Sequence, residues 1–230
     1  MILDINFLLE LPNLTKSAML IIRPLAPLSM VNSMPGSYYK TEHAPDNFML
    51  YGLLENILNL HLAEDDRIAI RKKIIKHYKK KYKMEYVFAN SNVGYKPIIN
   101  HLCEIESLFI KPSLQFFEDL WTQHLIGADE RHLNGVVNYD WCIENEMIGL
   151  KKRNVRQEKN QYFAINKSRF PMYYRSPQRR EFLIVKGYYG FKIKMTQHLF
   201  DILKPAIENN NIGYLGTSEG WVDVSIGETL

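Results

Sequence analysis

The sequence predicts an α+β fold, with strands near both ends of the chain and helices between them. Three observations carry this. Residues 18–22 form a short apolar run closed by Pro24 and Pro27, as a buried strand does. Residues 191–195 and 221–226 alternate apolar and polar side chains, the pattern of half-buried strands. Phe48, Tyr51, Leu54 and Leu58, and later Leu199, Phe200, Leu203 and Ile207, recur at helical spacing.

Each element follows in order. Residues 1–9 are apolar with polar interruptions and could be a strand, and one of the two runs, 1–9 or 18–22, should be the central strand. Residues 31–45 are loop by their turn residues, including Pro35-Gly36-Ser37 and Pro45-Asp46. Asp46 or Asn47 can cap a helix reaching about Leu60. That helix is apolar on most sides, hence buried, and Gly52 within it points to close approach of another backbone. Glu64-Asp65-Asp66 opens a basic helix from Arg67 to about Lys83, with charges arranged to suit the helix dipole. Its lysines could track a phosphate backbone or simply form a solvated face. Pro112 and Ser113 open another helix, with Leu114, Phe117, Trp121 and Leu125 on one face. Asn134-Gly135 marks a turn. Residues 181–186 and 191–195 are strands that could form a hairpin across Gly187 and Gly190. Thr196 caps the last helix, which Pro205 should kink or shorten. The expected organisation is therefore 1–63 and 181–230 as one sheet domain, 64–149 as a largely helical insertion, and 150–180 as a basic arm.

That arm organises the functional reading. Residues 151–180 hold ten Lys or Arg and a single acid, Glu158. The whole chain has 29 basic and 25 acidic residues, so the positive balance is local. Tyr162, Phe163, Phe170, Tyr173 and Tyr174 are interleaved with the charge. Cations neutralise phosphates and flat rings stack on unpaired bases, so this composition suits single-stranded nucleic acid. A solvated loop with its rings packed underneath has the same composition. Tyr38, Tyr39 and Lys40 suit a nucleic-acid contact too, or the anchoring of their loop.

Other classes find little support. Asp4, Asn6 and Glu10 interrupt the first apolar run, so no signal peptide is expected. No stretch has the apolar length of a membrane span. Two cysteines, Cys103 and Cys142, make no disulfide framework, which points to a cytoplasmic protein. His101-Leu102-Cys103 lacks partners at zinc-ligand spacing, and there is no HExxH, CxxC or P-loop, so neither metal nor cofactor is expected.

The order strand, buried helix, insertion, hairpin, helix, strand is that of a ferredoxin-like unit, shared with RRM-type RNA-binding domains. Two stretches are more specific. Met19-Leu20-Ile21-Ile22-Arg23-Pro24-Leu25-Ala26-Pro27-Leu28-Ser29-Met30 leads through a Pro- and Tyr-containing loop to Leu50-Tyr51-Gly52-Leu53-Leu54. Gln178-Arg179-Arg180-Glu181-Phe182-Leu183 precedes Ile212-Gly213-Tyr214-Leu215-Gly216-Thr217-Ser218. Together they resemble the CRISPR-associated Cas five family. The insertion after the first helix and the extension before Met19 depart from its compact members.

The resemblance implies a non-catalytic subunit of the type I surveillance complex, Cascade. It would hold the 5′ handle of the guide RNA (crRNA) and pin that strand with a β-hairpin thumb. Its implied partners are a Cas seven-type backbone subunit, the large subunit, and target DNA near the protospacer-adjacent motif. Residues 150–180 have the size and charge of the thumb. The expected RNA contacts are Lys151, Lys152, Arg153, Arg156, Arg169, Tyr173, Tyr174, Arg175, Arg179 and Arg180, with Tyr38, Tyr39 and Lys40 behind them. One branch of the family cleaves the precursor RNA without metal, using tyrosine, lysine and histidine. His43 beside Tyr38, Tyr39 and Lys40 offers those residue types. A structural protein meeting an acidic partner is the third reading.

Overall fold

The computed structural model describes residues 5–33, 38–121, 126–127, 146, 149, 161–162, 165–166, 172–173 and 178–228. The chain divides into two compact units, Met1–Asp119 with Arg179–Leu230, and Leu120–Gln178. It is an α+β chain whose strands pair mainly antiparallel.

In the first unit, strand β1 (Lys16–Pro24) is central, as the apolar run predicts. Residues Ile5–Leu9 before it form a 3₁₀ turn rather than the strand considered from sequence. After the two-residue strand β2 (Tyr38–Tyr39) comes helix α1 (Asn47–Ile57), whose cap is Asp46; its side chain accepts a hydrogen bond from the Met49 amide at 2.8 Å. Helix α2 (Glu64–His77) passes directly into a π-helical turn, Tyr78–Tyr82.

Strands β3 (Cys103–Ile110) and β4 (Ser113–Trp121) then replace the helix expected from Pro112. Leu114, Phe117 and Trp121 fit a helical stripe, but period alone does not separate a short helix from a strand. Here β4 joins a three-stranded sheet with β2 and a later strand, and cross-strand pairing overrides local preference.

Within the second unit, β5 (Ile126–Gly127) pairs antiparallel with β6 (Met172–Tyr173), Ile126 opposite Tyr173. Strand β7 (Gln178–Lys186) returns to the first unit and leads to β8 (Tyr189–Met195). Helix α3 (Gln197–Asn209), strand β9 (Ile212–Tyr214) and strand β10 (Trp221–Glu228) complete the chain.

The main sheet has the order β3-β8-β1-β10-β9. Ala18, Leu20, Ile22, Val222, Val224, Phe191 and Ile193 point into the core with the apolar faces of α1 and α3. The alternation read from residues 191–195 and 221–226 is this inward and outward sorting.

Three further expectations are corrected. β7 and β8 do not form a hairpin; β8 pairs with β1 and β3, and β7 with β2 and β4. Gly187, at φ +111°, lies at the bend between them, where a Cβ would stand 3.6 Å from that of Pro112 in the β3–β4 bend. Pro205 does not end α3, which continues to Asn209. A proline inside a helix costs about 3 kcal/mol. Leu199, Phe200, Leu203 and Ile207 are all buried, and each such side chain contributes about 1.5–3 kcal/mol, so packing wins. Gly52 meets not a backbone but the ring of Tyr95, 3.6 Å from where its Cβ would be.

Tyr95 belongs to a segment tied onto α1 through one buried acid. Glu55 is 1% exposed. Its Oε1 accepts the amides of Ile98 at 2.6 Å and Ile99 at 3.2 Å. Its Oε2 accepts the Tyr95 hydroxyl at 2.6 Å and pairs with Arg67. Burial would lower the Arg67 pKa, but Glu55 and Tyr95 beside it raise it above the ordinary arginine range.

His101 is buried nearby among the rings of Tyr78, Tyr86 and Phe88, and its Nε2 donates to the Leu8 carbonyl at 2.9 Å. Burial pushes its pKa down to about 4. The folded chain therefore keeps this imidazole neutral while the unfolded chain protonates it below its ordinary value of 6.5. Stability from this group is full above pH 6.5 and falls as the pH drops towards 4. Between pH 7 and pH 5 the loss is about 2 kcal/mol. Urea unfolding of the wild type and His101→Phe at both pH values checks this. The variant should lose that part of the pH dependence, and identical slopes for the two proteins would refute the assignment.

Cys103 is also buried, and burial pushes its thiol up to about 12, so it is a core residue and not a nucleophile. Cys142 and the Asn134-Gly135 turn lie outside the described residues. Among the described residues no helix is long and apolar enough to cross a membrane.

Candidate RNA interface

Three of the segments that carry the family resemblance, 19–30, 178–183 and 212–218, lie far apart in sequence and meet in the fold. Leu28 exchanges two backbone hydrogen bonds with Leu183 of β7, at 2.9 and 2.7 Å. Gly216 packs against the next residue of the first stretch. Its φ is +77°, and a Cβ on it would sit 2.4 Å from the Ser29 carbonyl oxygen. The Met30 amide donates to the Thr41 hydroxyl at 2.9 Å, and the Thr41 amide donates to Glu181 at 3.0 Å. These bonds hold the segment after β1, the segment after β2, the glycine turn and β7 in one frame.

On that frame β2 lies parallel to β7, with Tyr38 opposite Arg179 and Tyr39 opposite Arg180. The structure thus joins the second-rank tyrosines to the arginines at the end of the basic stretch. The two arginines are not equivalent. Arg180 is 6% exposed, with its guanidinium 4.8 Å from the Tyr39 ring centre. Burial lowers its pKa from the ordinary arginine value, while Tyr39 and Glu219 favour its charged form. Glu219 sits in the glycine turn. Burial would raise its carboxyl, yet its own amide, Thr217, Ser218 and Arg180 hold it below the ordinary range. Arg180 therefore braces Tyr39 against the turn.

Arg179 faces solvent, its side chain 72% exposed and 4.0 Å from Glu118 of β4. The Tyr38 hydroxyl donates to the same carboxylate at 3.1 Å. Burial, then that hydrogen bond and the charges of Glu181 and Glu118, raise the Tyr38 pKa. Beside this group the rings of Phe117 and Phe182 stack at 5.3 Å between centres, with Phe117 36% exposed. Tyr38 on β2, Arg179 on β7 and the Phe117–Phe182 pair across β4 and β7 thus give this three-stranded sheet a hydroxyl, a cation and stacked rings.

Lys40 is exposed just past β2. His43 is exposed too, its ring 5.0 Å from that of Phe116, while its carbonyl accepts the Tyr189 hydroxyl at 3.0 Å. Tyr173 lies on β6. Lys151, Lys152, Arg153, Arg156, Arg169, Tyr174 and Arg175 lie outside the described residues. Among the described residues no three His, Cys, Asp or Glu side chains group as metal ligands would.

Sequence reasoning missed Glu118, Glu181, Glu219 and the Phe117–Phe182 pair. The apolar run Phe182–Val185 could have placed Phe182 on a strand, but the acids have no local signature, since their partners come from distant strands.

Residues 3–226 match the family described as CRISPR-associated protein Cas5p. The chain belongs to this family. The match spans nearly the whole sequence, so the Cas5 assignment covers the extension before Met19 and the insertion after α1 as well as the two motif-bearing ends. No curated protein matches the chain. Among solved structures it is similar to a chain in the cryo-EM structure of Type III-B Cmr-beta bound to cognate target RNA and AMPPnP. The identity is 17%, the TM-score 0.41, and the alignment covers 92% of this chain and 64% of that one. The Cas5 chain thus spans less than two thirds of that neighbour's length.

Proposed function

We propose that this Cas5-family chain is the crRNA-binding subunit of a type I CRISPR surveillance complex, where it caps the 5′ handle without cleaving it. The observation that carries the reading is the Tyr38–Tyr39 to Arg179–Arg180 ladder, which joins the basic stretch to the frame built by the family's own motifs. The first unit supports a ferredoxin-like, RRM-like sheet domain. Its βαββαβ order, β1-α1-β3-β8-α3-β10, with sheet order β3-β8-β1-β10, supports reading it as a split βαβ arrangement. The basic stretch is its thumb. It grips phosphates with arginine and lysine and wedges rings between bases, reading shape more than sequence. A Cas seven-type backbone subunit and the large subunit, with target DNA near the protospacer-adjacent motif, complete its surroundings.

The test is retardation of CRISPR repeat RNA in a chelator, at low and moderate salt. The wild type should retard the RNA uncut, less so as salt rises. The triple change of Arg169, Arg175 and Arg179 to Ala should weaken binding 10- to 100-fold and flatten the salt slope by about 2, since each phosphate contact on a single strand contributes about 0.7. Arg180→Ala should act differently, lowering stability through Tyr39. Unchanged affinity in the triple variant would reject the thumb. Discrete cleavage lost in His43→Ala would move the chain to the RNA-processing branch.

A further inference from the structure

The strongest charged surface among the described residues is not on this ladder. Helix α2 and its π-helical turn carry seven lysines between Lys72 and Lys83, and all seven are exposed. The one acid paired with them among the described residues is Glu85, 3.5 Å from Lys79, with both side chains more than 70% exposed. Such a pair is screened and weak. The acids of α2, Glu64, Asp65 and Asp66, all lie in its first turn, away from the lysine run.

One ring of this segment is buried and the next is half-buried. Tyr78 is fully buried, its hydroxyl bonded to the Glu10 carbonyl, and Tyr82 packs edge-on to Tyr78 and His77. Two uncommon backbone features make this sorting possible. The π-helical turn over Tyr78–Tyr82 widens the helix by one residue, and Lys83 then takes a left-handed conformation at φ 57°, ψ 26°. A lysine pays a steric cost in that region, and π turns concentrate at functional positions. Their effect is to keep Tyr78 in the core and Tyr82 packed against it while Lys79, Lys80, Lys81 and Lys83 all reach solvent.

We infer that this lysine face docks on the phosphate backbone of duplex DNA. A face of lysines supplies point charges without the forked geometry that reads base edges. Tyr78 is buried, and the half-buried Tyr82 ring packs on Tyr78 and His77 with the Lys81 ammonium 5.1 Å from its centre, so no free ring face is left for an unpaired base to stack on. Its partner therefore presents phosphates and hides its bases. The run is about 16 Å long at 1.5 Å per residue, and B-DNA presents one phosphate charge per ~1.7 Å of its axis, a density that suits seven lysines on one face. This inference is independent of the single-strand reading of the arm.

The test uses the full chain and a fluorescent 30-base-pair DNA duplex, with single-stranded repeat RNA measured in parallel. Binding of the duplex should weaken steeply with salt, with log K falling at least fourfold as fast as log salt, about 0.9 for each phosphate neutralised. Changing Lys72, Lys76, Lys80 and Lys83 together to Gln should weaken duplex binding about 100-fold, lower that slope by about 3.6, and leave RNA binding unchanged. Should this variant misfold, protection of the same lysines from acetylation by the duplex in the wild type reads the same contact. Unchanged duplex affinity, absent protection, or equal loss of RNA binding would overturn the inference, and the first two would point to an acidic protein as the partner.

Discussion

Glu55→Ala should destabilise the first unit by about 3–5 kcal/mol, the cost of removing one member of a buried ion pair. The carboxylate receives four donors, from Arg67, Tyr95, Ile98 and Ile99. Without it two main-chain amides are left unsatisfied, each costing about 1–3 kcal/mol when buried. The Arg67 side chain, 12% exposed, keeps its bonds to the Leu60 carbonyl at 3.0 Å and the Lys96 carbonyl at 3.2 Å but loses its counter-charge. Glu55→Gln should cost less, since the amide oxygen still accepts. A double-mutant cycle with Arg67→Met measures the pair directly, because the doubly apolar protein buries no orphan charge. Urea unfolding gives each corner. A loss under 1 kcal/mol for Glu55→Ala would mean that water replaces the carboxylate and that the segment from Leu60 to Ile99 is held by its apolar contacts.

Gly216→Ala should cost about 3 kcal/mol or more, through two additive effects. An L residue at φ +77° is disfavoured by about 1–2 kcal/mol. The new methyl would also stand 2.4 Å from the Ser29 carbonyl oxygen and 3.1 Å from the Met30 Cα, and backbone atoms cannot rotate away. The turn must then lift from the segment that holds Leu28 on β7. Loss of register at Leu183 moves Arg179 and Arg180 relative to Tyr38 and Tyr39, so RNA retardation should fall with stability. Gly227→Ala is the matched control. Nothing lies within 4 Å of a Cβ there, and the backbone is not left-handed, so the change should be neutral within about 0.5 kcal/mol. Thermal unfolding of both separates conformational strain from the general effect of replacing a glycine. Equal melting temperatures would show that the turn has room to relax.

Much of the first unit was legible from sequence because its signals are local. The cap at Asp46, the cap at Thr196 and the alternation of β8 and β10 each depend on residues a few positions apart. The glycine turn was visible as a motif, though not what it touches. The charge of residues 151–180 is likewise a property of composition, and the structure adds that its last members, Arg179 and Arg180, sit on β7. Where the sequence misled, two local patterns were degenerate. Leu114, Phe117 and Trp121 fit a helix as well as a strand, and the Gly187–Gly190 pair fits a hairpin as well as a bend between sheets.

The amino-acid pattern by itself determined the fold class, the central strand, both helix caps and the segregation of positive charge, since propensity, periodicity and charge act over a few residues. Only the tertiary structure decided that Glu55 is an anchor, that Arg180 is a brace while Arg179 meets solvent, and that Tyr38 and Tyr39 stand beside them. Thr41 and Glu181 are 140 positions apart, and their bond holds that arrangement. Such contacts form when strand pairing and burial bring remote groups together, and a buried polar group must then find whatever partner the packing supplies.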